Sequence, residues 1–326
     1  MKQATLYRYA LPMDSGVILR HTRLVQRDGF IVELRVDDRI GRGEVAPLPE
    51  FSVESIEQAS KELEVCLADW LNDRDIDWNN LSPSVAFGLS VAIAELNGDI
   101  PGEGNYLSAP LCSGDPDELV EKLAALPGEK VAKIKVGLYE PIRDGMVANM
   151  FLEVIPDLRL RLDANRQWTP TKAAQFAKYV NPAFRTRIAF LEEPCQTPEQ
   201  SLDFAAETGI AIAWDETVRE DGFEVKKQQG VSAIVIKPTL VGSLQTVRKL
   251  VDEAKAKGLE VVISSSIESS FGLNQLARIA NWLTPDTLPG LDTVSLFKTQ
   301  LETAWPGCEL PLTTLKACDV VWQAQR

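Results

Sequence analysis

Apolar residues recur along this chain with two periods, and the change from one to the other divides it. The segments TLYRYAL (5–11) and FIVELRV (30–36) alternate apolar and polar positions, as half-buried antiparallel strands do. Arg27-Asp28-Gly29 lies between them, has turn chemistry and predicts a hairpin. Helical spacing follows over 53–71 and 83–97, the second stretch opened by Ser82 with proline at the first helical position. Together these elements predict an α+β domain over residues 1–100, connected onward by the Gly/Pro-rich passage from Asn97 to Pro116.

Beyond residue 130 the unit becomes strand, polar end, loop, helix, repeated. The strands are VAKIKV (131–136), LRLRLD (158–163), IAFLEE (188–193), IAIAWD (210–215), AIVIK (233–237) and VVISSS (261–266). Thr169-Pro170, Thr197-Pro198 and Ser243 open helices between them, the last ending at Gly258. Strands alternating with helices imply parallel βαβ units. No glycine-rich phosphate loop follows the first strand, so a dinucleotide-binding sheet is unsupported. Six units in so short a span predict a closed (β/α) barrel over 101–305, with 306–326 returning to the first domain.

Charge narrows the partners. With 34 basic and 47 acidic side chains the formal net charge is −13, which argues against nucleic acid or an anionic membrane as partner. The five cysteines are scattered without CxxC spacing, and no apolar run reaches membrane length, so a reduced, cytoplasmic protein is expected. No exposed apolar seam is legible, and a monomer is expected. There is one histidine, His21, in a polar loop, either exposed or touching a lid; a multi-histidine metal site is therefore impossible.

The chemistry gathers at the strand ends. Five consecutive strands finish in an ionisable side chain, Lys135, Asp163, Glu192, Asp215 and Lys237, spaced by 28, 29, 23 and 22 residues. One such residue alone is ordinarily a cap or a solvated end. Five in succession should line the mouth of the barrel, where parallel barrels place their active sites, with the two lysines on opposite sides. Three carboxylates without histidine or thiolate make a hard, oxygen-only site suited to Mg2+, with Mn2+ as substitute. Lys133 and Lys135 share a strand face, and each should lower the other's proton affinity, bringing a lysine base toward neutrality. A cation at a substrate carboxylate would stabilise the charge left when an α-proton departs.

Several assignments stay open on these grounds. Glu192 and Glu193 are adjacent and alternation does not choose between them. Arg159 and Arg161 share the face of Asp163, as interior ion-pair partners or as substrate contacts. Ser265 and Glu268 match a capping box for the helix around LNQLARIANWL.

The K-x-K strand, Asp163 in LRLDANRQW, Glu192 in FLEEP, Asp215 in AWDET and Lys237 in VIKP resemble the enolase superfamily, muconate-lactonizing-enzyme subgroup. PMDSGV, GEVAPLPEFS, PSVAFG, KVGLYE, RLDANR, IVIKPTL, ISSSIESS and GLDT are similar to a dehydratase branch of that subgroup in menaquinone biosynthesis. The resemblance implies a modified TIM-type (β/α) barrel with an N-terminal α+β capping domain, whose 14–29 and 43–55 loops shape the pocket. It implies a magnesium-dependent hydro-lyase acting on a small-molecule carboxylate, 2-succinyl-6-hydroxy-2,4-cyclohexadiene-1-carboxylate. Carried over by position, Asp163, Glu192 and Asp215 become metal ligands and Lys135 the base. Lys237 becomes a stabilising cation on the opposite face, and Lys133 a neighbour of Lys135 near the substrate carboxylate. Arg161, Asn165, Ser264, Ser266 and Gly290 become pocket positions. An N-acylamino acid racemase or dipeptide epimerase would use the same constellation, so the five residues alone do not separate the two reactions. A barrel kept only as a scaffold would have lost a ligand or a lysine, and here all five are present.

Overall fold

A computed structural model describes residues 1–14, 18–19 and 22–326; His21 and positions 15–17 of the expected 14–29 loop lie outside the described residues. The chain begins with β1 (Lys2–Pro12), a short ladder of β2 (Ile18–Leu19) and β3 (Thr22–Arg23), then β4 (Gln26–Val36) and β5 (Arg39–Val45). The expected hairpin turn at Arg27-Asp28-Gly29 is not one, because β4 runs straight through it and pairs with β1 along its whole length. Gly29 sits opposite Tyr9, where a Cβ would stand 2.2 Å from the tyrosine oxygen. The glycine makes room for that ring rather than for a turn.

Two helices follow, α1 (Ile56–Leu71) and α2 (Pro83–Asn97). Ser55 and Gln58 close a reciprocal capping box on α1, and α2 begins with Pro83 after Ser82. Strand β4 is buried on both faces. Phe30, Val32 and Leu34 join Leu63, Leu67 and Leu89 of the helices, while Ile31 faces a second cluster with Tyr9, Phe271 and Leu301. That double burial explains the nearly continuous apolar run FIVEL. Glu33, the one charge in the run, is neutralised by Arg42 at 2.7 Å.

The βα alternation runs β6 (Leu111–Cys112), α3 (Pro116–Ala124), β7 (Lys130–Lys135), α4 (Pro141–Val154), β8 (Leu158–Asp163), α5 (Pro170–Lys178), β9 (Ile188–Glu192), α6 (Pro198–Thr208), β10 (Ile212–Trp214) and β11 (Val231–Ile236). It continues through α7 (Pro238–Val241), α8 (Leu244–Ala256), β12 (Glu260–Ile263) and α9 (Ser270–Leu283). Strands β6 to β12 form one sheet in strictly sequential order, and the pairs whose register is described are parallel. A parallel bridge between Ser264 and Gly290 adds one more position. This is the modified (β/α) barrel fold, with an N-terminal α+β domain. Ala189, Phe190, Ala213, Ala233, Val235 and Val262 of its strands form one buried apolar cluster.

The chain ends with β13 (Gln300–Leu301), β14 (Leu312–Thr313) and β15 (Asp319–Gln325), the last pairing antiparallel with β1. By contact the chain forms two units. One comprises 1–106, 236–251 and 263–326; the other comprises 107–235 and 252–262. Cys66, Cys112 and Cys195 are buried thiols, and all five cysteines are free.

Candidate active site

In the second unit, backbone register brings the strand ends side by side. Lys135 pairs with Asp163, Asp163 with Glu192, and Glu192 with Ala213, two residues before Asp215. The three carboxylates are almost wholly enclosed, with 6%, 2% and 1% of Asp163, Glu192 and Asp215 exposed. Buried charges persist only when paired, and Lys133 supplies the pairing. Its ammonium lies 3.0 Å from Asp163 Oδ2 and 2.9 Å from Glu192 Oε1. Arg219 Nη2 stands 3.8 Å from Asp215 Oδ1.

The expected mutual lowering of Lys133 and Lys135 is not what governs Lys133. Burial lowers its proton affinity, but Asp163, Glu192 and Asp215 raise it and prevail, so Lys133 is held above an ordinary lysine. Lys135 closes the strand and is exposed, whereas Lys133 is enclosed among the carboxylates.

The Glu192/Glu193 ambiguity resolves by geometry. Glu192 accepts both Lys133 contacts, whereas Glu193 turns away into a network of its own. Glu193 Oε1 accepts from the backbone N–H of Asp215 (2.8 Å) and of Thr217 (2.7 Å), and Oε2 accepts from Thr217 Oγ1 and pairs with Arg166. Burial pushes the Glu193 carboxyl up, opposed by the Thr217 and Asp215 N–H groups and by Arg166. Sequence reasoning missed this residue's role; the doubled glutamate was the available signal.

Arg161 is buried, donates to Glu260 at 2.9 Å and lies over the Phe190 ring. Burial lowers its pKa, and Glu260 opposes that. Arg159 is exposed, 3.5 Å from Glu129, and does not share this environment. Asn165, at φ 44°, donates its backbone N–H to Asp163 Oδ1 at 3.1 Å.

The remaining expected positions fall in the first unit. Lys237 follows β11 and precedes α7. Ser264 donates its N–H to Ile236 O and its hydroxyl to Gly290 O at 3.2 Å. Gly290 is glycine for space, since a Cβ there would meet Ser264 Oγ at 2.9 Å. Ser266 Oγ is buried without a hydrogen-bond partner among the described residues. Helix α9 is capped by Ser269, not by Ser265. Ser265 and Glu268 instead bond to each other inside the turn, at 2.8 Å, where Ile267 at φ 61° stops the helix from starting early.

Arg27, 1% exposed, holds this turn to the first domain. It donates to Ile267 O (2.9 Å), Pro47 O and Ala46 O (both 2.6 Å). Glu44 accepts from Ser269 N–H and Oγ and from Tyr9.

Three carboxylates on adjoining strand ends are a donor set for a hard divalent cation. Among the described residues no three such groups close into a metal cage as the side chains stand. The ammonium of Lys133, placed between Asp163 and Glu192, is the positive charge around which they are arranged. Oxygen-only chemistry, burial and an ammonium already between two of them make the set chemically suited to a hard divalent cation.

Comparison with known proteins agrees with this constellation. Residues 117–302 match the family described as enolase C-terminal domain-like, and residues 1–96 match that described as MenC, N-terminal domain. The first of these covers more than half of the chain and defines an enolase-type enzyme. The o-succinylbenzoate synthases of Aliivibrio salmonicida and Proteus mirabilis are 63% and 61% identical to the chain, over 99% of it and the whole of each relative. The chain belongs to the o-succinylbenzoate synthase family. Among solved structures, the o-succinylbenzoate synthase of Thermosynechococcus elongatus BP-1, described as complexed with Mg in the active site, superposes with a TM-score of 0.70. It is 20% identical, covering 88% of this chain and 92% of that one. The L-Ala-D/L-Glu epimerase of Bacillus subtilis superposes at 0.74 and 21% identity, covering 91% of both. At these identities the structural likeness concerns the fold. Among the described residues no helix is long and apolar enough to cross a membrane.

Proposed function

We propose that the chain dehydrates 2-succinyl-6-hydroxy-2,4-cyclohexadiene-1-carboxylate to o-succinylbenzoate and water, in menaquinone biosynthesis in the cytoplasm, and that it works as a monomer. Asp163, Glu192 and Asp215 would hold Mg2+, with Mn2+ able to replace it. A cation held there would draw charge from the substrate carboxylate and acidify the α-hydrogen. Lys135, exposed at the end of β7, takes that proton and then returns one to the departing hydroxyl. Lys237 offers positive charge to the developing dianion, and Lys133 adds a second cation near the carboxylate. For Asp163 and Glu192 to hold the cation, the Lys133 ammonium would have to withdraw from between them. Aromatisation of the ring makes the elimination downhill, so the residues need lower only the barrier to proton removal.

The observation that carries this proposal is the 63% identity to an o-succinylbenzoate synthase over its whole length, joined to the pairing of Asp163 with Glu192 at adjacent strand ends around Lys133. The test is ultraviolet absorbance of the cyclohexadiene with Mg2+, with chelator, and after Mg2+ is restored. Loss of the diene signal that stops with chelator and resumes with metal supports the dehydration. No turnover, combined with deuterium wash-in to both enantiomers of an N-acylamino acid in D2O, would replace it with the epimerase reaction.

A further inference from the structure

Beside the carboxylates assigned to the cation stands a fourth, Glu193, which is 1% exposed and takes no part in the reaction above. We propose that Glu193 is a positioning residue that sets divalent-cation affinity by locking together the three segments carrying Asp163, Glu192 and Asp215. The proposal rests on those three residues being the ligands.

Each segment is tied to Glu193 by a separate bond. Glu192 is its chain neighbour. On one side, Oε1 accepts from the backbone N–H of Asp215 itself, at 2.8 Å, and of Thr217, at 2.7 Å. On the other side, Arg166 pairs with Oε2 and donates its backbone N–H to Glu193 O at 2.9 Å. Arg166 adjoins Asn165, whose own N–H fixes Asp163 Oδ1. Arg166 also reaches Thr217 Oγ1 and Glu220 at 2.7 Å each, closing the circuit from the Asp163 segment to the Asp215 segment. A displacement of the Glu193 carboxylate therefore moves all three segments.

Backbone conformation gives a second, independent indication. Glu193 (φ 27°), Asn165 (φ 44°) and Arg166 (φ 58°) all have positive φ, which residues other than glycine adopt only at an energetic cost. Three such residues side by side persist only where surrounding bonds over-determine them, and the Glu193 network supplies those bonds. A carboxylate needed merely for packing would not require them. Outer partners that orient ligands change metal affinity when removed, by about 10- to 100-fold in other metal sites.

The experiment is an electron paramagnetic resonance titration of free Mn2+ against the full chain, with thermal unfolding run in parallel. Wild type, Asp215→Asn, Glu193→Ala and Glu193→Gln are compared. The proposal expects Glu193→Ala to weaken Mn2+ binding about 10- to 100-fold while remaining folded, and saturating metal to restore most of its turnover. Glu193→Gln keeps an oxygen for the Asp215 and Thr217 N–H groups but puts an NH2 group against Arg166, and should lose less. Wild-type affinity in a folded Glu193→Ala overturns the proposal. If that variant does not fold, wild-type affinity in Glu193→Gln overturns it instead. Absence of Mn2+ binding in wild type, or unchanged binding in Asp215→Asn, overturns the ligand assignment itself. The two failures are thereby distinguishable.

Discussion

Two regions at the ends of parallel strands bury charge, but they treat it differently. The segments after β8, β9 and β10 collect carboxylates: Asp163, Glu192 and Asp215 lie around one ammonium, that of Lys133. The turn after β12 disperses its charge. Arg27 is satisfied by backbone carbonyls of Ala46, Pro47 and Ile267, and Glu44 by Ser269 and Tyr9. Glu268 likewise accepts from Thr239, Ser265 and the Ser266 N–H. Where each charge is answered individually by neutral dipoles, the result is a frame. Where like charges are gathered at adjoining strand ends, the result is a place that favours a cation and a charged reaction.

The sharpest way to break this comparison is Lys135→Ala. Lys135 is exposed, so its loss should leave the fold and its unfolding midpoint intact while turnover falls about a thousandfold, as removal of a general base does. Near-normal turnover in that variant would remove Lys135 from the mechanism. Lys237→Arg is the next largest, an expected fall of roughly tenfold to a hundredfold in kcat with unchanged Mn2+ affinity, because the guanidinium keeps the charge but not its shape and reach. Undiminished kcat there would mean that the sign of the charge is all that counts.

Arg27→Met tests the other side. It strips donors from buried carbonyls, and denaturant unfolding should show a loss of about 2–4 kcal/mol. Mn2+ affinity should not change; a weakened metal site would show that the two regions are not separable. The smallest effect concerns Asp73, whose carboxyl is held below its usual range by a hydrogen bond from Lys2, assisted by Arg326. A depressed folded pKa contributes stability that is present above the unfolded value of 3.8 and is lost as pH falls through the folded one. Asp73→Asn should therefore lower stability slightly at neutral pH, leave it unchanged where the carboxyl would be protonated in both states, and so flatten the acid limb between. An identical acid limb in the variant would rule the contribution out.

Legibility in the sequence tracked how local the controlling physics was. Helix α2 begins at Pro83 and β8 ends at Asp163, where propensity and periodicity place them, because caps and strand periods are local. Threonines 169 and 197 cap α5 and α6 for the same reason. The misreadings came from non-local demands. Arg27-Asp28-Gly29 has turn chemistry, yet Tyr9 passing over Gly29 and the carbonyls around Arg27 keep it in a strand. Ser265 and Glu268 have capping-box spacing, yet they serve a turn that Ile267 keeps out of the helix. Period two placed Lys133 and Lys135 together, but it does not reveal that one is enclosed and the other terminal. Glu193 escaped because the strand ends at Glu192 and its positive φ breaks the alternation that would have placed it.

If Asp163, Glu192 and Asp215 share one cation, anomalous diffraction from crystals soaked in Mn2+ should give a single strong peak bounded by those three carboxylates, with the Lys133 ammonium withdrawn from between Asp163 and Glu192. A peak at other residues, or none at these with Lys133 still bridging the pair, would contradict that shared site.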